Sequence, residues 1–283
     1  MKKLILISSA VAMLFSACQK NSLINTDTPS AITQRSCGSM EVLAEQMKAD
    51  PTLESSMSAY EAVVQNNIKA IENGTSNYRL VNGVIEIPVV VNVLYRTAAE
   101  NISQAQIQSQ IDVLNEDYAG TNADHNLTST YNTVKAGDIG VRFVLDAVNR
   151  RSTTKTSWST NDAMKKSAQG IAPTSPTTKL NIWVCNMGGC ILGYAQFPGG
   201  AAATDGVVLD NNATGRVGTA TAPFNKGRTA THEIGHWMNL RHIWGDATCG
   251  NDQVGDTPLH NTANYGCPAS GHKSTCSGTP VEM

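Results

Sequence analysis

The sequence predicts an α+β fold in which helices pack on a single twisted, mixed β-sheet. Three observations lead to this prediction. A β-branched segment is followed by a segment of helical periodicity, several short strand candidates come next, and one longer helix candidate follows them. We find no internal repeat. Residues 80–283 are expected to form this domain, with a backing helix, a second helix at the candidate site and an irregular subdomain towards the C-terminus.

The N-terminal residues have the pattern of an export signal. Two lysines precede an apolar run, residues 4–15, that is too short to cross a bilayer as a helix. The Ser-Ala-Cys sequence at 16–18 resembles a bacterial lipobox. We therefore expect residues 1–18 to be a lipoprotein signal peptide and Cys18 to carry the lipid, with ordinary signal cleavage after Ala17 as the alternative. Either outcome implies an exported protein, anchored at the cell surface or outer membrane or else secreted, where disulfides are permitted.

Residues 19–79 are predicted to form a polar tether followed by a helical pro-segment. The tether is rich in Asn, Thr, Ser and Gln. Apolar residues then recur at helical spacing over residues 40–72, and Pro51 is expected to separate two helices. The Asn-Gly-Thr-Ser-Asn break at 73–77 precedes Arg79, where we expect an accessible site for trypsin-like cleavage or self-cleavage.

The main domain is expected to begin with a buried β-branched strand at residues 85–95. A helix is predicted at 103–118, behind Ser103 as its N-cap. The remaining strand candidates are short runs of β-branched, aliphatic or aromatic residues, at 141–145, 180–184, 191–197 and 206–209. Beyond Leu240, aliphatic runs give way to Gly, Asp, Asn, Thr, Pro and Cys. Such a segment needs disulfides, ions or both to stay ordered.

The composition indicates a globular chain without a basic surface. Hydrophobic residues make up 41% of the sequence and charged residues 16%, which is ordinary for a globular protein, and the net charge is −2. With no cluster of lysine and arginine, we expect no nucleic-acid partner.

The strongest functional signal is the sequence THEIGHWMNLRH at residues 231–242. On a helix, His232 and His236 lie one turn apart on the same face, as two zinc ligands require. Glu233 is beside them, so we expect it to activate a zinc-bound water and then to protonate the leaving amine. His242 lies off that face and has to be brought back by a sharp turn. Asn239 is placed at this turn, since asparagine tolerates a left-handed backbone.

Two other interpretations fit the same histidines. They could be solvated residues of an amphipathic helix, or ligands of a structural zinc. A structural site would be closed by a fourth protein ligand and would have no use for a glutamate beside it. A catalytic zinc site is therefore the prediction.

Residues 232–246, HEIGHWMNLRHIWGD, also resemble a known family. The pattern HExxHxxNxxH resembles the long zinc motif of the metzincin clan, and the tryptophans and the following Gly-Asp make it similar to the pappalysin family, which includes ulilysin. The resemblance implies a metzincin, zincin-like catalytic domain. It implies an endopeptidase that acts on polypeptides, with zinc at the floor of the cleft and calcium in the lower subdomain. Asn239 departs from the glycine of the clan and is interpreted as a tolerated variant.

The resemblance further implies an edge strand above the cleft that pairs with extended substrate. Gly193, Tyr194, Ala195 and Gln196 are at the expected place, where open backbone groups would favour extended peptides.

Calcium is expected in the oxygen-rich loop that follows the zinc motif. The candidate ligands are Asp252, Asp256 and Thr257, and a solvated turn is the alternative.

Cys37, in the sequence Arg-Ser-Cys-Gly, precedes the catalytic domain. A thiolate there could occupy the position of the zinc-bound water and keep the enzyme silent until the pro-segment is cut, which resembles the cysteine switch of metzincin zymogens. A free or mixed-disulfide cysteine is the alternative.

The other cysteines and histidines receive structural roles. By resemblance, Cys249 pairs with Cys276, which leaves Cys267 without a partner. Cys185 and Cys190 either close a short loop as a disulfide or remain reduced. The histidines outside the motif have no ligand spacing and are expected at the surface: His125, His260 and His272.

Metzincins follow the third histidine with a methionine turn beneath the zinc, and pappalysins add a tyrosine. Neither segment is found before Met283. We therefore expect the catalytic domain to be incomplete at its C-terminus and to hydrolyse poorly. A zinc-binding cell-surface protein without turnover is the alternative to a latent endopeptidase.

Overall fold

The computed structural model describes residues 36–73, 75, 83–126, 135–255, 257–266 and 274–276. Several predicted features lie outside these residues, namely the signal peptide with Cys18, the cleavage site at Arg79, and Asp256, Cys267 and His272. Among the helices of the described part, none combines the length and apolar character that crossing a membrane requires.

One mixed sheet of six strands organises the fold, in the order β1-β5-β6-β4-β2-β3. The strands are β1 Ser36–Cys37, β2 Ile85–Tyr95, β3 Val141–Ser152, β4 Leu180–Cys185, β5 Ile191–Ala195 and β6 Val207–Asp210. β5 is antiparallel to β6, whereas the other neighbouring pairs are parallel. The predicted mixed sheet is thus confirmed. β3 extends well beyond the predicted 141–145, because it pairs with β2 along its whole length.

The helices match the predicted periodicities. They are α1 Ser39–Ala49, α2 Leu53–Glu72, α3 Gln104–Tyr118 and α4 Arg228–Trp237. α3 begins at the predicted N-cap, because the Ser103 side chain accepts a hydrogen bond from the Gln106 backbone N–H at 3.1 Å. This bond satisfies one of the donors that a helix start leaves free. Pro51 lies between α1 and α2, as predicted.

Two apolar clusters cover the faces of the sheet. α3 and α4 pack on one face, where Ile107, Leu114 and Ile234 meet Val93 of β2. The next residue of β2, Leu94, points to the opposite face and joins Trp183 in the second cluster. Burial on both faces explains why β2 reads as a continuous β-branched run. The α+β class predicted from the sequence is confirmed.

The predicted pro-segment packs directly on the catalytic domain. β1 adds to the free edge of β5, and Val42 of α1 enters the second cluster. A third cluster joins Leu43 and Leu53 to Phe197, which lies just after β5. These contacts place α1 and α2 against one side of the candidate site.

Candidate metal centre and active site

Helix α4 supplies the first two of the three predicted zinc ligands. Their rings lie one turn apart and nearly perpendicular to each other, with 3.1 Å between His232 Nε2 and His236 Nε2. The helix can come close beneath β5 because residue 193 is glycine. A Cβ at Gly193 would lie 3.1 Å from Glu233 Cγ and 2.8 Å from the Val208 carbonyl oxygen.

The third histidine is brought back by a left-handed turn. Asn239 has φ of 76°, as predicted from its place in the sequence. The Leu240 backbone N–H donates to the Gly235 carbonyl at 2.9 Å, which closes the turn. His242 Nε2 then lies 3.2 Å from His236 Nε2 and 3.3 Å from His232 Nε2.

The hydrogen bonds of the other ring nitrogens fix two of the tautomers. His236 Nδ1 is 2.7 Å from the Leu240 carbonyl oxygen, which only accepts, so Nδ1 carries the proton. His242 Nδ1 is 2.6 Å from the Asp246 carboxylate and is likewise the donor. Burial lowers the pKa of His236 to about 4 and that of His232 to about 3, so the rings are neutral near pH 7. His236 therefore carries its single proton on Nδ1, and its Nε2 presents a lone pair to the other two rings.

This donor set fits a tetrahedral zinc ion. With Zn–N bonds of 2.0–2.1 Å, tetrahedral geometry separates nitrogen ligands by about 3.3 Å. The Nε2 atoms lie 3.1–3.3 Å apart, close to that separation. Converging lone pairs repel each other, and a cation between them removes the repulsion. Asp246 orients His242, and Trp244 stacks on its ring at 4.3 Å between centroids, so the ligand is held from two sides.

Glu233 lies beside this centre and is buried. Its Oε2 accepts hydrogen bonds from Ser39 Oγ at 2.8 Å and from Cys37 Sγ at 3.3 Å. Burial raises the pKa of Glu233 to about 7, although both hydrogen bonds oppose the shift. The carboxyl group is therefore held where it can exchange protons near neutral pH.

Cys37 completes a group of four donors. Its Sγ and the three histidine nitrogens all lie within 4.8 Å of one another. Burial raises the pKa of the Cys37 thiol, and the charge of Glu233 raises it further. In the part of the chain that the structure describes, this is the one set of at least three His, Cys, Asp or Glu side chains grouped closely enough to hold a metal.

The predicted substrate edge is the β5 edge, and pro-segment residues pair with it. The Gly38 N–H donates to the Gly193 carbonyl at 2.9 Å, and the Ala195 N–H donates to Ser39 Oγ at 2.8 Å. Tyr194 is buried on the face of the sheet opposite Ala195. Gln196 lies just past the end of β5. Ser39 was not singled out from the sequence, since a lone serine after Cys37 carries no signal of its distant partners.

A cleft of about 530 Å³ opens beside the metal centre. Leu192 and Phe224 line it together with His232, Glu233 and Tyr265.

The candidate calcium loop is only partly described. Asp252 is buried, and its Oδ1 accepts from the Val254 N–H at 3.0 Å. The Thr257 N–H donates to the Val254 carbonyl at 3.2 Å, and Asp256 lies outside the described residues.

The predicted Cys249–Cys276 pair is confirmed, and of the two alternatives for Cys185 and Cys190 the disulfide is wrong, whereas the reduced form holds for Cys185 alone. Cys249 and Cys276 form a disulfide with their Cα atoms 5.6 Å apart. Cys185 and Cys190 do not pair with each other. Cys185 is a free, buried thiol at the end of the central strand β4, and Cys190 is disulfide-bonded elsewhere. Because side chains alternate along β4, Cys185 lies on the same face as Trp183, in the second apolar cluster. It therefore points away from the loop that carries Cys190.

The expectation of a surface position is wrong for His260. It is 5% exposed, and its Nδ1 is 2.7 Å from the Pro258 carbonyl oxygen. The Cys249 N–H donates to the His260 carbonyl, so the disulfide region folds over this residue.

Sequence relatives of the chain are proteases. A family model described as pregnancy-associated plasma protein-A, of the peptidase family M43, matches residues 177–283. An extracellular metalloprotease of Pyricularia oryzae is 33% identical over 257 residues, covering 88% of this chain and 78% of the relative. An extracellular metalloprotease of Verticillium alfalfae is 33% identical over 210 residues, covering 69% of this chain and 67% of the relative.

Solved structures show the same fold. Mature mirolysin of Tannerella forsythia, in complex with a cleaved peptide, is 43% identical with a TM-score of 0.67, covering 71% of this chain and 81% of that one. A promirolysin mutant of the same organism is 38% identical with a TM-score of 0.74, covering 87% of this chain and 83% of that one. On this similarity and its metzincin-like α+β fold, the chain belongs to the M43, or pappalysin, family of peptidases and is a zinc metalloendopeptidase.

Proposed function

We propose that this chain is the latent precursor of an exported zinc endopeptidase that hydrolyses extended polypeptides. His232, His236 and His242 hold the zinc, and Glu233 is the catalytic acid and base. The observation that carries this assignment is the convergence of three imidazoles, with Nε2 atoms 3.1–3.3 Å apart, beside a buried carboxyl group.

The chemistry divides between the metal and the chain. Bound zinc supplies a Lewis acid that polarises a carbonyl and lowers the pKa of water to about 7. Glu233 takes a proton from the attacking water as its oxygen bonds to the peptide carbon. The same carboxyl group then gives the proton to the amine nitrogen as the C–N bond breaks, so the products are a new carboxyl terminus and a free amine.

In this proposal, two residues of the pro-segment keep the precursor inactive. Cys37 Sγ is the fourth donor at the centre and closes the position that water would take, while Ser39 Oγ holds Glu233 at 2.8 Å. The pro-segment is also tied to the turn after α4, because Asn239 Nδ2 donates to Glu61 Oε2 at 3.0 Å. The similarity to promirolysin, which extends over 87% of this chain, supports this arrangement.

Removal of the pro-segment would free the β5 edge for substrate. The Gly193 carbonyl and the Ala195 N–H, which now bond to residues 38 and 39, would become available to an extended polypeptide. Their neighbours Tyr194 and Gln196, which are buried, would keep β5 in place.

Export, lipid attachment and calcium belong to the proposal on other grounds. The relatives are named extracellular metalloproteases, and residues 1–18 with Cys18 have the lipobox pattern. A calcium ion at Asp252, Asp256 and Thr257 is supported by the oxygen-rich composition of that loop and by the family resemblance.

A Glu233→Ala substitution tests the catalytic assignment. We expect the trypsin-activated variant to cleave casein at least about 100-fold more slowly than activated wild-type protein, because the proton acceptor is gone. Zinc content should remain one per chain, since the three histidines are intact. A chelator should abolish the wild-type activity. Equal cleavage by the two proteins would contradict the role of Glu233.

A Cys37→Ala substitution tests the latency. We expect the uncleaved variant to hydrolyse casein faster than uncleaved wild-type protein but more slowly than activated protein, because residues 38 and 39 still bond to β5 and Ser39 to Glu233. Cys185→Ala is the matched control, because Cys185 is likewise a buried free cysteine but packs in the second cluster. Cobalt-substituted wild-type protein should show a thiolate charge-transfer band that Cys37→Ala lacks and Cys185→Ala keeps. A band that survives in Cys37→Ala would contradict the ligand assignment.

A further inference from the structure

The third apolar cluster joins one catalytic-domain side chain to the pro-segment. Leu43, Leu53 and Phe197 are each buried, and Met40, Met47 and Met57 pack against them. All of these except Phe197 belong to the predicted pro-segment. Phe197 is 2% exposed here, and release of the pro-segment would remove all of the apolar side chains that this cluster packs on it.

Phe197 lies beside the reaction centre. It follows β5 by two residues, and its ring centroid is 5.4 Å from that of His236. Glu233 lies beneath Gly193, nearer the middle of the same strand. A polypeptide paired with β5 would therefore pass from the reacting bond to Phe197 within a few residues.

The segment that presents Phe197 keeps two bonds that do not involve the pro-segment, although Gln196 Oε1 also accepts from Gln46 Nε2 of α1 at 3.2 Å. Gln196 Nε2 donates to the Ala201 carbonyl at 3.0 Å, and Thr204 Oγ1 donates to Gln196 Oε1 at 2.6 Å. Gly199 contributes space, because a Cβ there would lie 3.1 Å from the Met57 backbone nitrogen. After the pro-segment leaves, these two bonds still hold the segment and with it the ring of Phe197. The space that Met57 occupied beside Gly199 then gives substrate access to the ring.

We propose that Phe197 forms an apolar subsite of the substrate cleft and selects a leucine or methionine side chain of the bound polypeptide. The residues that cover the ring in the precursor are themselves leucines and methionines, so their shape and polarity show what the site accepts. This inference rests on the proposed function. The proposal takes substrate to pair antiparallel with β5, the slightly more stable arrangement and opposite to the parallel pairing of β1, so that the selected residue lies N-terminal to the cleaved bond.

The test uses trypsin-activated full chain and a set of fluorogenic peptides. Each peptide carries Leu, Met, Ala, Ser or Asp at one of the four positions N-terminal to the cleaved bond. For wild-type protein we expect kcat/KM to be at least about 10-fold higher with Leu or Met than with Ser at one position. In Phe197→Ala this ratio should fall to about 2 or less, and in Phe197→Leu it should remain intermediate.

Phe224→Ala is the matched control. Phe224 lines the cleft together with Leu192, whereas Phe197 does not line it in the precursor, so this variant should keep the Leu-to-Ser ratio at that position. Zinc content and residual cleavage of the Ser peptides report whether each variant is folded. A preference that survives in Phe197→Ala, or a wild-type protein without preference at any of the four positions, overturns the subsite. If activated wild-type protein with one zinc per chain cleaves no peptide, the proposed function itself fails.

Discussion

Asn239 illustrates how a single backbone conformation places a distant ligand. Its φ of 76° reverses the chain after α4, and the reversal carries His242 to within 3.2 Å of His236 at their Nε2 atoms. Glycine adopts this conformation freely, whereas a Cβ costs about 1–2 kcal/mol. Asparagine is among the side chains that tolerate it, and here its amide also donates to Glu61.

Comparison of Asn239→Gly with Asn239→Ala isolates the backbone contribution. Both variants lose the hydrogen bond to Glu61, but only alanine keeps a Cβ. We expect the free energy of unfolding of Asn239→Ala to be about 1 kcal/mol lower than that of Asn239→Gly. Urea denaturation of the uncleaved protein measures the difference. An alanine variant as stable as the glycine variant would show that the turn does not require the left-handed backbone.

The ring nitrogens of His236 and His242 show a second residue-level effect. Each Nδ1 is committed to an oxygen acceptor, the Leu240 carbonyl or the Asp246 carboxylate, which directs the lone pair of Nε2 inward. The tautomer and orientation of these two candidate ligands are therefore set partly by Leu240 and Asp246.

A buried network of charged side chains contacts strand β5 on the face of the sheet opposite α4. Lys165 is fully buried and donates from Nζ to Asp162 Oδ1 at 2.9 Å and to the Thr204 carbonyl at 2.6 Å. Tyr194 of β5 donates its hydroxyl to the same Asp162 oxygen at 2.8 Å. Burial lowers the pKa of Lys165, and the charge of Asp162 opposes this shift. The proposed substrate edge is thus anchored through Tyr194, on the face of the sheet opposite α4.

Removal of one charge from this network should cost more than removal of both. We expect Lys165→Met to lower the free energy of unfolding by about 3 kcal/mol or more, because the Asp162 carboxylate stays buried without its counter-charge. Lys165→Met combined with Asp162→Asn should recover part of the loss, and asparagine tolerates the left-handed backbone at 162. Denaturant titrations of the single and double variants measure this. A double variant less stable than Lys165→Met would argue against a charge effect.

Helices α3 and α4 hold the metal centre from the other side of the sheet. Tyr118 donates its hydroxyl to the Thr231 carbonyl at 3.0 Å, and Thr231 Oγ1 donates to Asp117 at 2.6 Å. Two hydrogen bonds with the backing helix α3 therefore hold Thr231, the residue before His232. In this way α3 also helps to position the candidate zinc ligand His232.

In the molecule as a whole, the site lies between two segments of different stability. The sheet and its helices bury a large apolar core, whereas no described residue beyond Leu240 belongs to any of the three apolar clusters. His242, Trp244 and Asp246 belong to this second segment. The Cys249–Cys276 disulfide, which spans 27 residues, is therefore expected to stabilise part of the metal centre indirectly.

Replacing both Cys249 and Cys276 with alanine tests this contribution. Closing a loop of this length is worth about 3.5 kcal/mol through the entropy of the unfolded chain. We expect the double variant to lose about 2–4 kcal/mol of unfolding free energy and to be cut by proteases beyond residue 245 before the rest of the chain. Thermal and urea denaturation, with mass spectrometry of the fragments, provide the measurement. Unchanged stability together with unchanged cleavage sites would contradict the expectation.

Most of the elements were predictable because their signals are local. Strands β2 to β6 appeared as β-branched, aliphatic or aromatic runs, whereas β1 was not predicted. The Ser103 cap indicated α3, and the spacing of His232, Glu233 and His236 indicated the helix of the candidate metal centre. The position of Asn239 was also readable, since a turn conformation depends on a few consecutive residues. The zinc-binding pattern and the α+β class therefore follow from short-range geometry.

Other features depended on how distant segments pack. Ser39 bonds to Glu233 across 194 residues, and Phe197 meets the pro-segment helices, yet neither residue has a local signature. Likewise, Cys185 does not pair with the nearby Cys190, and His260 is buried although it has no ligand spacing. Neither outcome could be inferred from positions in the sequence. Helix and strand periodicity determines which face a residue occupies, but the partner on that face is chosen by the packing of the entire chain, where many weak contacts are satisfied together.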